Sequence, residues 1–229
     1  LSFYTGASTT GSSGKISFAT GNAAGGQAGD IVVAGGNGDH TVSGTVTVQA
    51  GSTSSTSGTG GFISINSGAG SAKSSGLIVV KSSDAGTAGV SGALHFKTGV
   101  TTAGSSGSVR LSTGASSGTG GRTGGIILAG GASAVSTGGD IVATAGTATA
   151  TTGGVVSLNS GVGTASSSGS VYIRTSNAGT NGVSGSLIFS SGTTSSGASG
   201  MVTLSSGNAV GGQGGDVRLS SGTGTAQDG

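Results

Sequence analysis

The chain has 229 residues, of which 54 are glycine, 6% are charged and 3% are aromatic, and it has no proline, cysteine or tryptophan. Without cysteine it can form neither disulfides nor thiolate metal sites, and without proline or a glycine at every third position it is not collagen. The formal charge of +2 is too small for a nucleic-acid-binding surface, and its aliphatic runs are far shorter than the ~18–20 residues of a membrane span.

One short pattern recurs along the whole chain. It begins with a glycine, and the residue after that glycine is counted as position one of a segment. The second and fourth positions of the segment are aliphatic or aromatic, the sixth is small, and a second glycine follows. Gly14–Gly21 and Gly107–Gly114 are examples. About fifteen such segments follow one another at spacings of 15 to 17 residues. A short and constant period is typical of proteins built from equivalent, stacked units.

A longer period contains the shorter one. Asp84–Gly92 recurs as Asn177–Gly185, 93 residues later, and Gly25–Asp30 recurs at twice that distance as Gly211–Asp216. We therefore expect one continuous domain, a section of a longer chain, built from blocks of six segments. Its predicted bounds are 1–229, with super-repeats 1–92, 93–185 and 186–229, the last of them partial.

The alternation of aliphatic and other residues is typical of half-buried β-strands. We predict an all-β fold: a single-domain β-solenoid, similar to a parallel β-helix, with about fifteen coils of 15–17 residues. Hairpins are less consistent with the pattern, because only one stretch of each repeat is rich in aliphatic residues. The predicted core ladder comprises Ile16, Phe18, Ile31, Val33, Val46, Val48, Ile63, Ile65, Ile78, Val80, Leu94, Phe96, Val109, Leu111, Ile126, Leu128, Ile141, Val156, Leu158, Val171, Ile173, Leu187, Phe189, Val202, Leu204, Val217 and Leu219.

Residues for catalysis or metal binding are sparse. The chain has no glutamate, and its two histidines, His40 and His95, lie several segments apart. We therefore predict that it is not an enzyme and has no cofactor. Asp30 and Asp216 lie in stretches, Gly25–Val33 and Gly211–Leu219, that resemble calcium-binding nonapeptide repeats, and they are the candidate metal ligands. Each stands alone, whereas calcium requires several oxygen ligands, so a role in turns is favoured.

One group of basic residues falls on outward positions of three successive segments. It consists of Lys81, His95, Lys97 and Arg110. A solvated face is the simpler interpretation, and binding to an acidic polysaccharide is the alternative. An ice-binding face would need a regular array of outward threonines, whereas the outward column begins Ser17, Val32, Thr47.

Segments such as Ser106–Gly114 are similar to those of long Gly/Ser/Thr-rich β-solenoid repeat proteins of the algal cell-surface or extracellular type. The resemblance covers the whole chain in composition and coil pattern and implies an extracellular fibre or adhesive. Neither end of the sequence shows a capping helix or a charged terminal coil, so we expect either that caps lie outside this segment or that coils continue from one molecule to the next. Both interpretations favour a long rod or fibre. We expect a structural filament protein that associates with further copies of the same repeats. The alternative is a binding module whose outward face recognises ice or acidic polysaccharide.

Overall fold

The computed structural model describes residues 1–117 and 121–224, so parts of the predicted continuous domain, 118–120 and 225–229, lie outside the described residues. The described chain contains neither a helix nor a β-strand. Each repeat consists of an irregular segment that carries the aliphatic residues and a loop that bends or turns back. The chain divides into two compact units, Leu1–Arg110 and Leu111–Gly229.

The prediction of an all-β solenoid, similar to a β-helix, is therefore wrong. A solenoid requires backbone hydrogen bonds between successive coils, which here would join residues about 15 positions apart. Over the described residues, the hydrogen bonds between backbone groups instead join residues within one loop. Alternating side chains predict which residues share a face of the segment, but they do not specify a partner for its backbone.

The loops are closed by pairs of glycines. Gly44 N–H donates to Gly36 O at 3.1 Å, and the equivalent bonds in five other loops have N···O distances of 2.9 Å. Gly44 must approach closely, because a Cβ atom on it would lie 2.8 Å from Gly36 N. The glycines on either side of a loop therefore bring its two ends together. The other five bonds are Gly61–Gly51, Gly76–Gly68, Gly139–Gly131, Gly154–Gly146 and Gly169–Gly161.

Local conformations recur at the spacing of the long sequence period. The turn closed by Gly89 N–H and Gly86 O has its equivalent 93 residues later, where Gly182 N–H donates to Gly179 O. Side-chain bonds from asparagine to serine also recur at this interval, from Asn66 to Ser64 and from Asn159 to Ser157. Gly104 and Gly197 both have a positive φ, at 95° and 106°. Sequence repeats at this distance thus adopt similar local backbone structure.

No core is present among the described residues, because none of them is buried. The chain exposes 22,389 Å². A folded monomer of its mass of 20.7 kDa exposes roughly 9,000 Å², and its fully unfolded chain roughly 30,000 Å². The side chains predicted as a core ladder range in exposure from 45% at Ile16 to 83% at Leu219. A single copy thus leaves most of its apolar surface in water.

Candidate interaction surface

The most regular surface of the molecule is made of aliphatic side chains. We use the term second-position side chains for the set that runs from Ile16 to Val109 in the first unit and from Ile126 to Val217 in the second. These side chains are between 45% and 62% exposed. The fourth-position side chains are the apolar residues two positions further along each segment, beginning with Phe18, and most of them are about 70% exposed.

Residues between these two positions are the most exposed of the three where all three are apolar. Ile127 is 89% exposed, compared with 50% for Ile126 and 71% for Leu128. The same order holds for Val32 and Ile188 relative to their neighbours. The second and fourth positions therefore share the side of the segment that the chain itself partly covers.

Small residues at the sixth position hold each segment against the following loop. Thr5, Ala50, Thr98 and Ala145 are half-buried, and of the other described residues only Gly163 is. Their neighbours are the glycines that precede the next segment: a Cβ atom on Gly107 would lie 3.6 Å from Thr98 Cγ2. The loops therefore fix where each aliphatic segment begins and ends.

Two successive aliphatic segments are in contact through a pair of aromatic side chains. The rings of Phe3 and Phe18 are 6.2 Å apart between centroids and meet edge to face at 83°. Edge-to-face pairs at this distance contribute ~0.5–1.5 kcal/mol beyond the area that they bury. Both rings still remain about two-thirds exposed. Side-chain contact between segments therefore occurs without a backbone ladder.

The predicted basic group lies on the surface of the first unit. Lys81, His95, Lys97 and Arg110 are all exposed. Among the described residues, no hydrogen bond or ion pair joins these four side chains to one another. They are therefore available to solvent, and binding of an acidic polysaccharide stays a prediction.

The two candidate metal ligands lie in different units. Asp216 accepts a hydrogen bond from Arg218 Nη2 at 2.9 Å, in an ion pair whose side chains are 86% (Arg218) and 69% (Asp216) exposed. Asp30 is exposed. Within the described parts of the chain, no three carboxylate, histidine or cysteine side chains lie close enough together to hold a metal ion. Asp216 is thus arranged as the partner of an arginine.

Sequence reasoning did not single out one depression in the second unit. It is open, has a volume of about 230 Å³ and is lined by Arg174, Thr175, Ser176 and Asn177. Its four lining residues are consecutive, so the depression is a local feature of one bend. The nearby sequence signals were the core-ladder residue Ile173 and the repeated stretch that begins at Asn177, and neither indicates a depression.

Residues 1–117 and 121–224 include no helix with the length and hydrophobicity that a membrane crossing requires. Comparison of the chain with protein families, with curated proteins and with solved structures gives no match. The resemblance to algal extracellular repeat proteins therefore stays an expectation from composition and pattern.

Proposed function

We propose that the chain is a structural, non-enzymatic building unit of an extracellular filament, and that it acts by associating with further copies of itself. The observation that carries this proposal is the recurrence of half-exposed aliphatic side chains on a chain with no buried residue among those described. Burial of apolar surface is the main favourable contribution to folding and association. A chain that leaves this surface in water gains most by covering it with another molecule.

The available area exceeds what association requires. The exposed surface is larger by roughly 13,000 Å² than that of a folded monomer of this mass. Stable interfaces between proteins bury ~1,200–2,000 Å² in total, and apolar burial contributes ~25 cal/mol per Å². Covering a small part of the aliphatic surface is therefore sufficient for a stable contact, even after the cost of immobilising both partners.

A second copy is the partner that fits this surface best. Both copies carry aliphatic residues at the same spacing of 15 to 17 residues, so side chains of one can face those of the other at many successive segments. The formal charge of +2 over the whole chain produces little repulsion between copies. Because the aliphatic positions recur along the whole chain, a copy that is shifted along its partner leaves segments uncovered on both molecules. Those segments can bind further copies, whereas an unshifted pair would close as a dimer.

The second- and fourth-position side chains form the contact in this proposal. They are aliphatic or aromatic in nearly every repeat, whereas the residues between them include Ser17, Arg110 and Tyr172. An interface that extends over many segments needs the same chemistry at each of them. The mixed third position would place charged and polar groups in the contact, and burying such groups unpaired is costly.

The extracellular location is supported by the resemblance in composition and coil pattern to algal cell-surface proteins. The absence of catalysis is supported by the sequence, which has no glutamate and only two histidines. A repeated chain with these properties suits a mechanical or adhesive role. Binding of ice or polysaccharide has no specific structural observation in its favour.

Electron microscopy and sedimentation of the purified chain test this function. We expect filaments or large assemblies whose fraction rises with protein concentration and falls in mild urea, which weakens apolar association. A chain that sediments as a monomer at every concentration would contradict the proposal. A monomer that binds acidic polysaccharide, or that causes thermal hysteresis, would favour the alternative of a binding module.

A further inference from the structure

The chain contains two asparagines that are followed directly by glycine, and their surroundings differ. Asn37–Gly38 lies in the loop closed by Gly44 N–H and Gly36 O at 3.1 Å. Asn181–Gly182 lies in a turn in which Gly182 N–H donates to Gly179 O at 3.2 Å. Asparagine followed by glycine is the sequence in which the next backbone nitrogen reaches the side-chain amide most easily, because glycine has no side chain to obstruct it.

Asn37 and Asn181 are both exposed, and one hydrogen bond distinguishes them. Within the described residues, Gly38 N–H donates no hydrogen bond to a backbone or side-chain acceptor. Both Asn37 and Gly38 are exposed, so water can reach the peptide bond between them. The nitrogen that would attack the side chain of Asn37 is therefore available, whereas the corresponding nitrogen at Asn181 must first give up its hydrogen bond.

We propose that Asn37 is a site of spontaneous covalent modification, in which its side chain cyclises onto Gly38. The Gly38 nitrogen loses its proton and forms a bond to Asn37 Cγ, while the bond from Cγ to Nδ2 breaks and ammonia leaves. The product is a five-membered cyclic imide. One water molecule then opens the imide at either of its two carbonyl carbons, to give aspartate or isoaspartate. The overall reaction consumes one water molecule, releases one ammonia and involves no oxidation or reduction.

The conversion changes the loop chemically. Either product carries a new carboxylate, which lowers the formal charge of the chain by one and places a second acid two positions from Asp39. The isoaspartate product also directs the backbone through the side-chain methylene, so the chain between Gly36 and Gly44 becomes one carbon longer. The 3.1 Å hydrogen bond that closes this loop then spans a longer connection.

Other asparagines serve as internal references. Asn66 and Asn159 each donate a side-chain hydrogen bond to a serine hydroxyl, at 2.7 and 3.0 Å, and each is followed by serine. Cyclisation there requires the loss of that bond and an approach past a side chain. We therefore expect Asn37 to react fastest, Asn181 next, and Asn66 and Asn159 slowest.

The test is peptide mapping by mass spectrometry during incubation of the intact chain in mildly alkaline buffer, with isoaspartate measured by methyltransferase labelling. We expect Asn37 to react at least about fivefold faster than Asn181, the factor that breaking a backbone hydrogen bond of ~1 kcal/mol would impose. In concentrated denaturant the two rates should become equal, because both positions have the same Asn–Gly sequence.

Asn37→Gln is the control variant, since the longer side chain would have to form a six-membered ring. It should abolish ammonia release from this loop and leave the rate at Asn181 unchanged. Equal rates at the two sites in the native chain, or a faster reaction at Asn181, would overturn the proposal. The test uses the isolated chain at low concentration, so its outcome is independent of whether copies associate into filaments.

Discussion

The loops and the aliphatic segments of this chain are ordered by different interactions. In the loops, backbone groups of nearby glycines bond to each other, as Gly44 N–H does to Gly36 O at 3.1 Å. In the segments, regularity lies in the side chains, and Ile126 and Leu128 remain 50% and 71% exposed. The loops therefore satisfy part of their bonding within one molecule, whereas the segments carry apolar surface that only another surface can cover. Changes to the segments should affect association, and changes to the loops should affect local backbone order.

The largest effect is expected from charges at second positions. The triple variant Ile31→Asp, Val46→Asp and Ile63→Asp replaces side chains that are 50% to 57% exposed. If association buries their remaining surface at ~1 kcal/mol each, the protein concentration needed for assembly should rise on the order of 100-fold. Sedimentation over a dilution series measures this concentration.

The matched control places the same three charges one position further along each segment. The variant Val32→Asp, Thr47→Asp and Ser64→Asp has the same net charge but leaves the second and fourth positions unchanged. We expect it to assemble within a few-fold of the wild-type concentration. Equal loss of assembly in both triple variants would mean that charge, rather than the aliphatic positions, controls association.

A smaller and local effect is expected at the closing glycines. Gly44→Ala places a Cβ atom 2.8 Å from Gly36 N, so the hydrogen bond between these residues must break or lengthen. Loss of a bond worth ~1 kcal/mol should speed exchange of the residue-44 amide hydrogen about fivefold. Gly36→Ala, at the other end of the same loop, is the control, because a Cβ atom there meets nothing within 4 Å. Equal exchange rates of the residue-44 amide hydrogen in the two variants would contradict the proposal that Gly44 closes the loop.

The sequence predicted the positions of the segments better than their structure. The alternation at Ile126, Ile127 and Leu128 is present as a difference in exposure, 50%, 89% and 71%. The solenoid was wrong because two aliphatic residues in about fifteen provide little apolar area per repeat, and each glycine loses more conformational entropy on ordering than other residues do. The glycine-to-glycine bonds were not foreseen, since the sequence indicated where glycines recur but not that they pair across each loop.

The candidate interaction surface could be predicted in part from the same alternation of residues. The sequence placed the second and fourth positions together, and their shared side is the less exposed one at Ile126 and Leu128. The prediction that these side chains form a buried core was wrong because it assumed a solenoid whose coils enclose them. The geometry of Asn37 and Asn181 could not be distinguished by sequence, because both precede glycine and only the backbone hydrogen bond of Gly182 separates them.

Substitution of two glycines with positive φ should have a local effect similar in size to that of Gly44→Ala. Gly104→Ala and Gly197→Ala each force a side chain onto a backbone with φ of 95° or 106°. The penalty for such conformations is roughly 1–2 kcal/mol, so both variants should change the backbone chemical shifts of their own loops. Gly99→Ala serves as the control, because a Cβ atom meets nothing within 4 Å at any of the three positions but Gly99 does not have a positive φ. Unchanged shifts in the two variants would mean that the loops do not hold this conformation in solution.

The smallest effect is expected at the ion pair of Asp216 and Arg218. Exposed pairs contribute little, because water and salt screen both charges. Asp216→Asn should leave the assembly concentration unchanged within error, and so should calcium or a chelator. A calcium-dependent change that disappears in this variant would restore Asp216 as a metal ligand.

Hydroxyl-radical footprinting of the apolar side chains, at protein concentrations below and above assembly, shows directly which of them form the contact between copies. We expect second- and fourth-position side chains such as Ile31 and Phe96 to become protected on assembly, while Val32 and Tyr172 at third positions stay reactive. Unchanged reactivity of Ile31 and Phe96 in the assembled protein, or protection confined to the third positions, would contradict this expectation.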